Sequence, residues 1–182
     1  GGRVLAVAPN LGRFTVLTNE GVIFVDYTRA ARGPLDFPPE IKPSRYVFAS
    51  FTPSGLGVGI LCPDGRIASV QNKHVVPLNW PPPLQDLRAI KLFLLGQGFA
   101  TIVTTSGRLE TMDLQDKKAR YGVELGFCPE TLVAEAEGNA LVASSHLAFT
   151  ILGRNGELLL RGRGPCAVDF SRSYALLWLN KQ

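Results

Sequence analysis

The chain has 182 residues, of which 46% are hydrophobic and 19% charged, and its formal net charge is +4. This is the composition of a globular chain able to bury a core, and it excludes a disordered or low-complexity one. The most apolar stretch, Leu87 to Thr104, is interrupted by Arg88, Lys91 and Gln97, so no membrane span is expected.

From the start, short apolar runs alternate with turn residues. Val4-Leu5-Ala6-Val7-Ala8 reads as a strand buried on both faces, and Pro9 to Gly12 as a turn. Phe14 to Thr18 is a second strand. Asn19-Glu20-Gly21 is a tight hairpin turn, because its Gly tolerates the positive φ such loops need. Val22 to Val25 is a third strand, and Leu35-Asp36-Phe37-Pro38-Pro39 ends a fourth. The same order then returns: Tyr46 to Ala49, Leu56 to Cys62, the turn Pro63-Asp64-Gly65, Arg66 to Val70, and Leu78-Asn79-Trp80-Pro81-Pro82. It returns again with Ile90 to Leu94, Phe99 to Thr104, the turn Thr105-Ser106-Gly107, Arg108 to Met112, and Leu125-Gly126-Phe127-Cys128-Pro129.

A fourth unit runs through Leu132 to Ala134, Ala140 to Ser144 and Leu147 to Leu152, then the turn Gly153 to Gly156 and a worn closing motif, Arg161 to Pro165. Its second turn, Ser144-Ser145-His146, lacks the Gly, and a His can adopt the left-handed conformation there at modest cost. Val168 to Ser171 and Tyr174 to Trp178 begin a fifth unit.

The Leu-x-aromatic-x-Pro motif starts at Leu35, Leu78 and Leu125, spacings of 43 and 47 residues. Periods of this size signal propellers or arrays of one supersecondary unit. Four antiparallel strands per repeat define a β-propeller blade. The expected fold is therefore all-β, a single propeller-like domain over 1–182. Its repeats lie near 3–43, 44–86, 87–130 and 131–165, with a half repeat at 166–182. A strand edge left open by that half repeat invites pairing with another chain. Three arrangements accommodate the count: a piece of a larger propeller, a partner that donates strands, or a five-bladed ring that the first unit's strands complete.

The repeats resemble degenerate WD40-type blades. The resemblance rests on Phe48-Ala49-Ser50-Phe51-Thr52-Pro53-Ser54-Gly55, on Asp64-Gly65-Arg66-Ile67, on Gly21 to Tyr27 with Asp26 closing the third strand, and on Asp113 in the matching place. There is no Gly-His pair and no Trp-Asp pair, so the family's hydrogen-bonding tetrad is not implied.

Little in the chain points to chemistry. Gly55-x-Gly57-x-Gly59 is followed by strand and turn residues, whereas a phosphate loop opens a helix. His74 and His146 have no nucleophile beside them in sequence, and no cysteine pair has metal-ligand spacing, so neither catalysis nor a metal is expected. Cys62, Cys128 and Cys166 read as reduced packing thiols, which places the chain inside the cell.

Charge is uneven: residues 151–182 carry +3 and the first 150 carry +1. Arg154, Arg161 and Arg163, among glycines in one hairpin and its exit, form the leading binding candidate, with Arg172 beyond them. Trp80, in a Trp-Pro-Pro-Pro run, is a second candidate as an inter-repeat linker or a polyproline ligand. The expected function is a non-catalytic protein-interaction scaffold, a subunit of an intracellular complex or a homo-oligomer. Its propeller loops or its open edge at 166–180 would dock the partner, with no cofactor and no membrane contact. The alternatives are nucleic-acid binding through the basic C-terminal repeats, and a carbohydrate-binding or -cleaving propeller using Asp26, Asp36, Asp113 or Glu135.

Overall fold

The structure, a computed structural model, describes residues 4–10, 13–18, 21–26, 29–36, 48–51, 58–61, 67–71, 74–78, 89–170 and 175–179. The chain divides into two compact units, Gly1–Leu87 and Arg88–Gln182.

Unit one holds two four-stranded antiparallel sheets. The first is β1 (Val4–Asn10), β2 (Arg13–Thr18), β3 (Gly21–Asp26) and β4 (Arg29–Asp36), and the second is β5 (Phe48–Phe51), β6 (Val58–Leu61), β7 (Ile67–Gln71) and β8 (His74–Leu78). Each sheet is a meander in which every strand pairs with its sequence neighbour. Leu61 and Ile67, opposite one another in the ladder, are both fully buried.

Unit two repeats the plan. Blade three is β9 (Ile90–Leu95), β10 (Phe99–Thr104), β11 (Arg108–Asp113) and β12 (Lys118–Glu124). Blade four is β13 (Thr131–Ala134), β14 (Ala140–Ser144), β15 (Ala148–Gly153) and β16 (Leu158–Arg163). A two-stranded sheet follows, β17 (Cys166–Phe170) with β18 (Ala175–Leu179).

Burial follows strand rank, as the composition of each strand requires. β10, Phe-Ala-Thr-Ile-Val-Thr, is buried on both faces over its first five residues, whereas β12, Lys-Ala-Arg-Tyr-Gly-Val-Glu, has no fully buried residue. The sequence supplies branched and aromatic residues where neighbours lie on both sides, and charge where an edge meets water.

The hairpin turn predicted at Thr105-Ser106-Gly107 forms. Gly107 adopts φ +86°, and its N–H donates to Thr104 O at 3.0 Å. A Cβ at Gly107 would overlap the Phe127 carbonyl oxygen, so this turn tolerates glycine alone. In blade four the corresponding turn needs no left-handed residue. The Ser145 Oγ accepts the N–H groups of Leu147 and Ala148, each at 3.2 Å. Lys117 is the one non-Gly residue at positive φ among the described residues, so His146 does not use the left-handed conformation open to it. A serine side chain standing in for a backbone acceptor replaces the glycine.

Blades three and four share a core of Leu94, Phe99, Val103, Leu109, Leu125, Ala134, Leu141, Ala143 and Leu152. Phe99 is its largest member and is 1% exposed. Gly96 and Gly138 leave room for its ring, which a Cβ at either would strike. The blades are also joined through the backbone, Gln97 N–H donating to Ala136 O at 3.0 Å.

Candidate functional site

Four of the carboxylates that could have marked a sugar site divide between turn-building and undescribed side chains. Asp113 Oδ1 accepts the N–H groups of Gln115 at 2.8 Å and Asp116 at 3.0 Å, and its Oδ2 accepts Arg120 Nη2 at 2.7 Å and Nε at 3.0 Å. Those turn amides and the guanidinium hold the Asp113 carboxyl below the usual aspartate range. The Arg120 guanidinium also lies 5.5 Å from the Phe99 ring centroid. Glu135 Oε2 accepts Glu137 N–H at 3.0 Å, Asn139 N–H at 3.1 Å and Asn139 Nδ2 at 3.2 Å, which closes the β13–β14 turn. Asp26 and Asp36 end β3 and β4, and their side chains lie outside the described residues, as does that of Trp178.

His146 does have a partner, one the sequence does not reveal. Its Nδ1 lies 3.1 Å from Glu130 Oε1, sixteen residues away across the β13–β14 strand pair. The histidine holds the Glu130 carboxyl below its ordinary range. Both side chains are exposed, so this is a solvated surface pair.

Cys128 is exposed and accepts from Lys91 Nζ at 3.3 Å, so it is not the packing thiol expected. Cys166 is a free, half-buried thiol, its pKa raised by that burial. Cys62 lies outside the described residues. No helix is long and apolar enough to cross a membrane among the described residues, and those residues hold no metal-ligating group of three.

The arginine candidates fall on the outermost strand of blade four. Arg161 and Arg163 are two residues apart on β16, opposite Thr150 and Ala148, and so share one face of the sheet. Arg154 sits at the other end of that hairpin, in the β15–β16 turn. All three are exposed, and none has a carboxylate partner among the described residues. Glu157, the nearest acid in sequence, is engaged by Asn155 N–H at 2.9 Å. Arg172 and Trp80 lie outside the described residues.

The same strand carries a feature that the search for charges passed over. Leu158, Leu159 and Leu160 are 56%, 56% and 44% exposed. Three successive exposed leucines on an outer strand are unusual, because edge strands are normally blunted with charge. The continuous run Leu158-Leu159-Leu160 was the signal available in the sequence.

No family model matches the chain, and no curated protein does. Solved structures do. A protein of unknown function from Bacteroides caccae is 13% identical, with a TM-score of 0.61 over 89% of this chain and 61% of that one. The β-propeller domain of Myceliophteria thermophila Cps50 (Swd1) is 13% identical, with a TM-score of 0.60 over 95% of this chain and 60% of that one. BamB from Moraxella catarrhalis is 13% identical, with a TM-score of 0.58 over 87% of this chain and 48% of that one. The chain thus spans about three-fifths of the length of the first two. At this identity the likeness is one of fold. The chain has the all-β, propeller-like fold of these structures, built of four-stranded antiparallel sheets.

Proposed function

We propose that this protein is a non-catalytic interaction module, a subunit of an intracellular complex that docks another protein on its C-terminal blades. One observation carries the reading: the exposed Leu158-Leu159-Leu160 row stands beside a half blade, β17–β18, that ends in a strand paired on one side among the described residues. Apolar surface on an outer strand costs solubility unless a partner covers it, and an unpaired ladder is a ready template for strand addition. The free thiols Cys128 and Cys166 are consistent with a reducing compartment. Asp113 and Glu135 are committed to turns, which supports a binding rather than a hydrolytic role.

Size-exclusion chromatography with light scattering tests this on protein purified from its own source. The expected result is a stable assembly, either with a stoichiometric second chain or with further copies. A clean monomer counts against the reading.

A second reading rests on Arg154, Arg161 and Arg163, exposed and without carboxylate partners among the described residues. These cations would contact nucleic-acid phosphates. Binding to a mixed-sequence oligonucleotide would then weaken steeply with salt. Absence of binding at low salt removes this reading.

A further inference from the structure

The passage from blade three to blade four brings a thiol against an amine. Cys128 lies in the connection between β12 and β13, and Lys91 is the second residue of β9. They are 37 residues apart in sequence, yet Lys91 Nζ donates to Cys128 Sγ at 3.3 Å.

Both partners are held in place by the backbone. At the start of the connection Leu125 N–H donates to Gly107 O at 3.0 Å, and at its end Glu130 N–H donates to Ser144 O at 2.8 Å. Between these anchors Phe127 packs on the core shared by the two blades, and Pro129 is buried. Cys128 stands between Phe127 and Pro129 with its own side chain exposed. Lys91 is fixed by its strand, since Ile90 and Leu92 on either side of it are laddered to Thr104 and Val103.

The amine has no acid to hold it. Glu130, two residues beyond Cys128, accepts the His146 N–H at 3.3 Å and lies 3.1 Å from His146 Nδ1. Lys91 makes no ion pair among the described residues, so the sulfur is its one protein acceptor there.

An exposed thiol touching a primary amine is a two-step acceptor for acyl groups. At neutral pH an ordinary thiol offers more of its nucleophilic form than an ordinary lysine does, so an acyl donor meets sulfur first. A thioester is less stable than an amide, and an amine already in contact attacks it without the entropy cost of an encounter.

We propose that Lys91 acylates itself through Cys128, with a small acyl thioester of the coenzyme A type as the donor. First the Cys128 thiolate adds to the donor's carbonyl carbon. A C–S bond to Cys128 forms, the donor's own C–S bond breaks, and the donor leaves as a thiol with the proton that Cys128 gave up. Then the neutral Lys91 amine adds to the same carbon. The C–N bond forms, the bond to Cys128 breaks, and the proton lost from nitrogen returns to sulfur. The thiol is regenerated, nothing is oxidised or reduced, and Lys91 exchanges its positive charge for an amide. This modification site is independent of the interaction reading above.

The test follows acetylation of each lysine by peptide mass spectrometry while the chain is incubated with acetyl-coenzyme A. Lys117 and Lys118 serve as internal standards, because both are exposed and neither has a thiol hydrogen-bonded to it among the described residues. Lys91 is expected to react at least about tenfold faster than either. Cys128→Ser, a surface change, is expected to bring Lys91 down to the rate of the standards. Lys91→Arg is expected to trap the first step, leaving a thioester on Cys128 that hydroxylamine removes. Far-UV circular dichroism checks that both variants keep the fold. Equal rates at Lys91, Lys117 and Lys118 overturn the proposal. So does a Lys91 rate unmoved by Cys128→Ser, or a thioester that persists on Cys128 while Lys91 is present.

Discussion

Blades three and four are built on one ladder but spend their side chains differently. In blade three the outer positions are locked. Arg120, the bulged residue opposite the Thr111–Met112 step, reaches Asp113 and lies over Phe99. In blade four the same three places are Leu159, Gly153 and Ala140, which have no ion pair and no large ring to offer. Blade three is fastened by its own residues and by its neighbour. Blade four is fastened on its blade-three side, and on the other it presents leucine to solvent. The lesson is that a propeller blade is completed by the next one.

Substitutions sharpen this contrast, the largest effect falling at the shared core. Phe99→Ala removes the buried ring between Gly96 and Gly138 and is expected to cost about 3–5 kcal/mol, read by urea denaturation. A loss below about 1 kcal/mol would mean that the blade-three to blade-four core is not as packed as described.

Next is Gly156→Ala. Its left-handed backbone alone costs about 1–2 kcal/mol, and the Tyr121 ring must also move. Tyr121→Ala in the same background should recover part of the loss, because the clash goes with the ring. The Tyr121 hydroxyl is hydrogen-bonded to Thr111, whose Oγ1 lies 2.9 Å from the buried Thr101 Oγ1, so Tyr121→Phe tests that polar row separately.

A smaller effect attaches to Asp113, which is specific to blade three. Its carboxyl is held below its ordinary range in the folded state, so ionised Asp113 stabilises the fold. That contribution is complete above the unfolded aspartate pKa of about 3.9 and is lost as pH falls through the lower folded value. Asp113→Asn should therefore cost on the order of 1 kcal/mol at neutral pH and flatten the acid limb of a stability-against-pH curve. An unchanged acid limb would show that the Arg120 contact is not sustained in solution. Leu160→Gln closes the series, with a stability change within about 0.5 kcal/mol, because the side chain is not covered in the isolated chain.

Much of this architecture was legible from residues alone. The Gly at 107 announced its hairpin because only glycine accepts that backbone. The apolar run Phe99 to Thr104 announced a strand flanked on both sides, because burial on both faces leaves no alternation. Two kinds of feature were not legible. Ser145 replaces a turn glycine through its hydroxyl, a bond that residue type permits but does not announce. The pairing of His146 with Glu130 spans a strand pair, and sequence distance hides such neighbours. The arginines Arg161 and Arg163 were visible as charge, but their placement on the outer strand beside exposed leucines depends on which strand lies outermost, a property of the assembled sheet.

The central claim is that β10 and β14 are inner strands laddered on both sides, whereas β18 is laddered on one side among the described residues. Amide hydrogen exchange on the isolated protein tests it strand by strand. The account predicts slow exchange throughout β10 and β14, with alternate amides of Ala175–Leu179 exchanging far faster. Uniform protection of Ala175–Leu179 to the level of β10 would contradict it, since that edge would then already be paired.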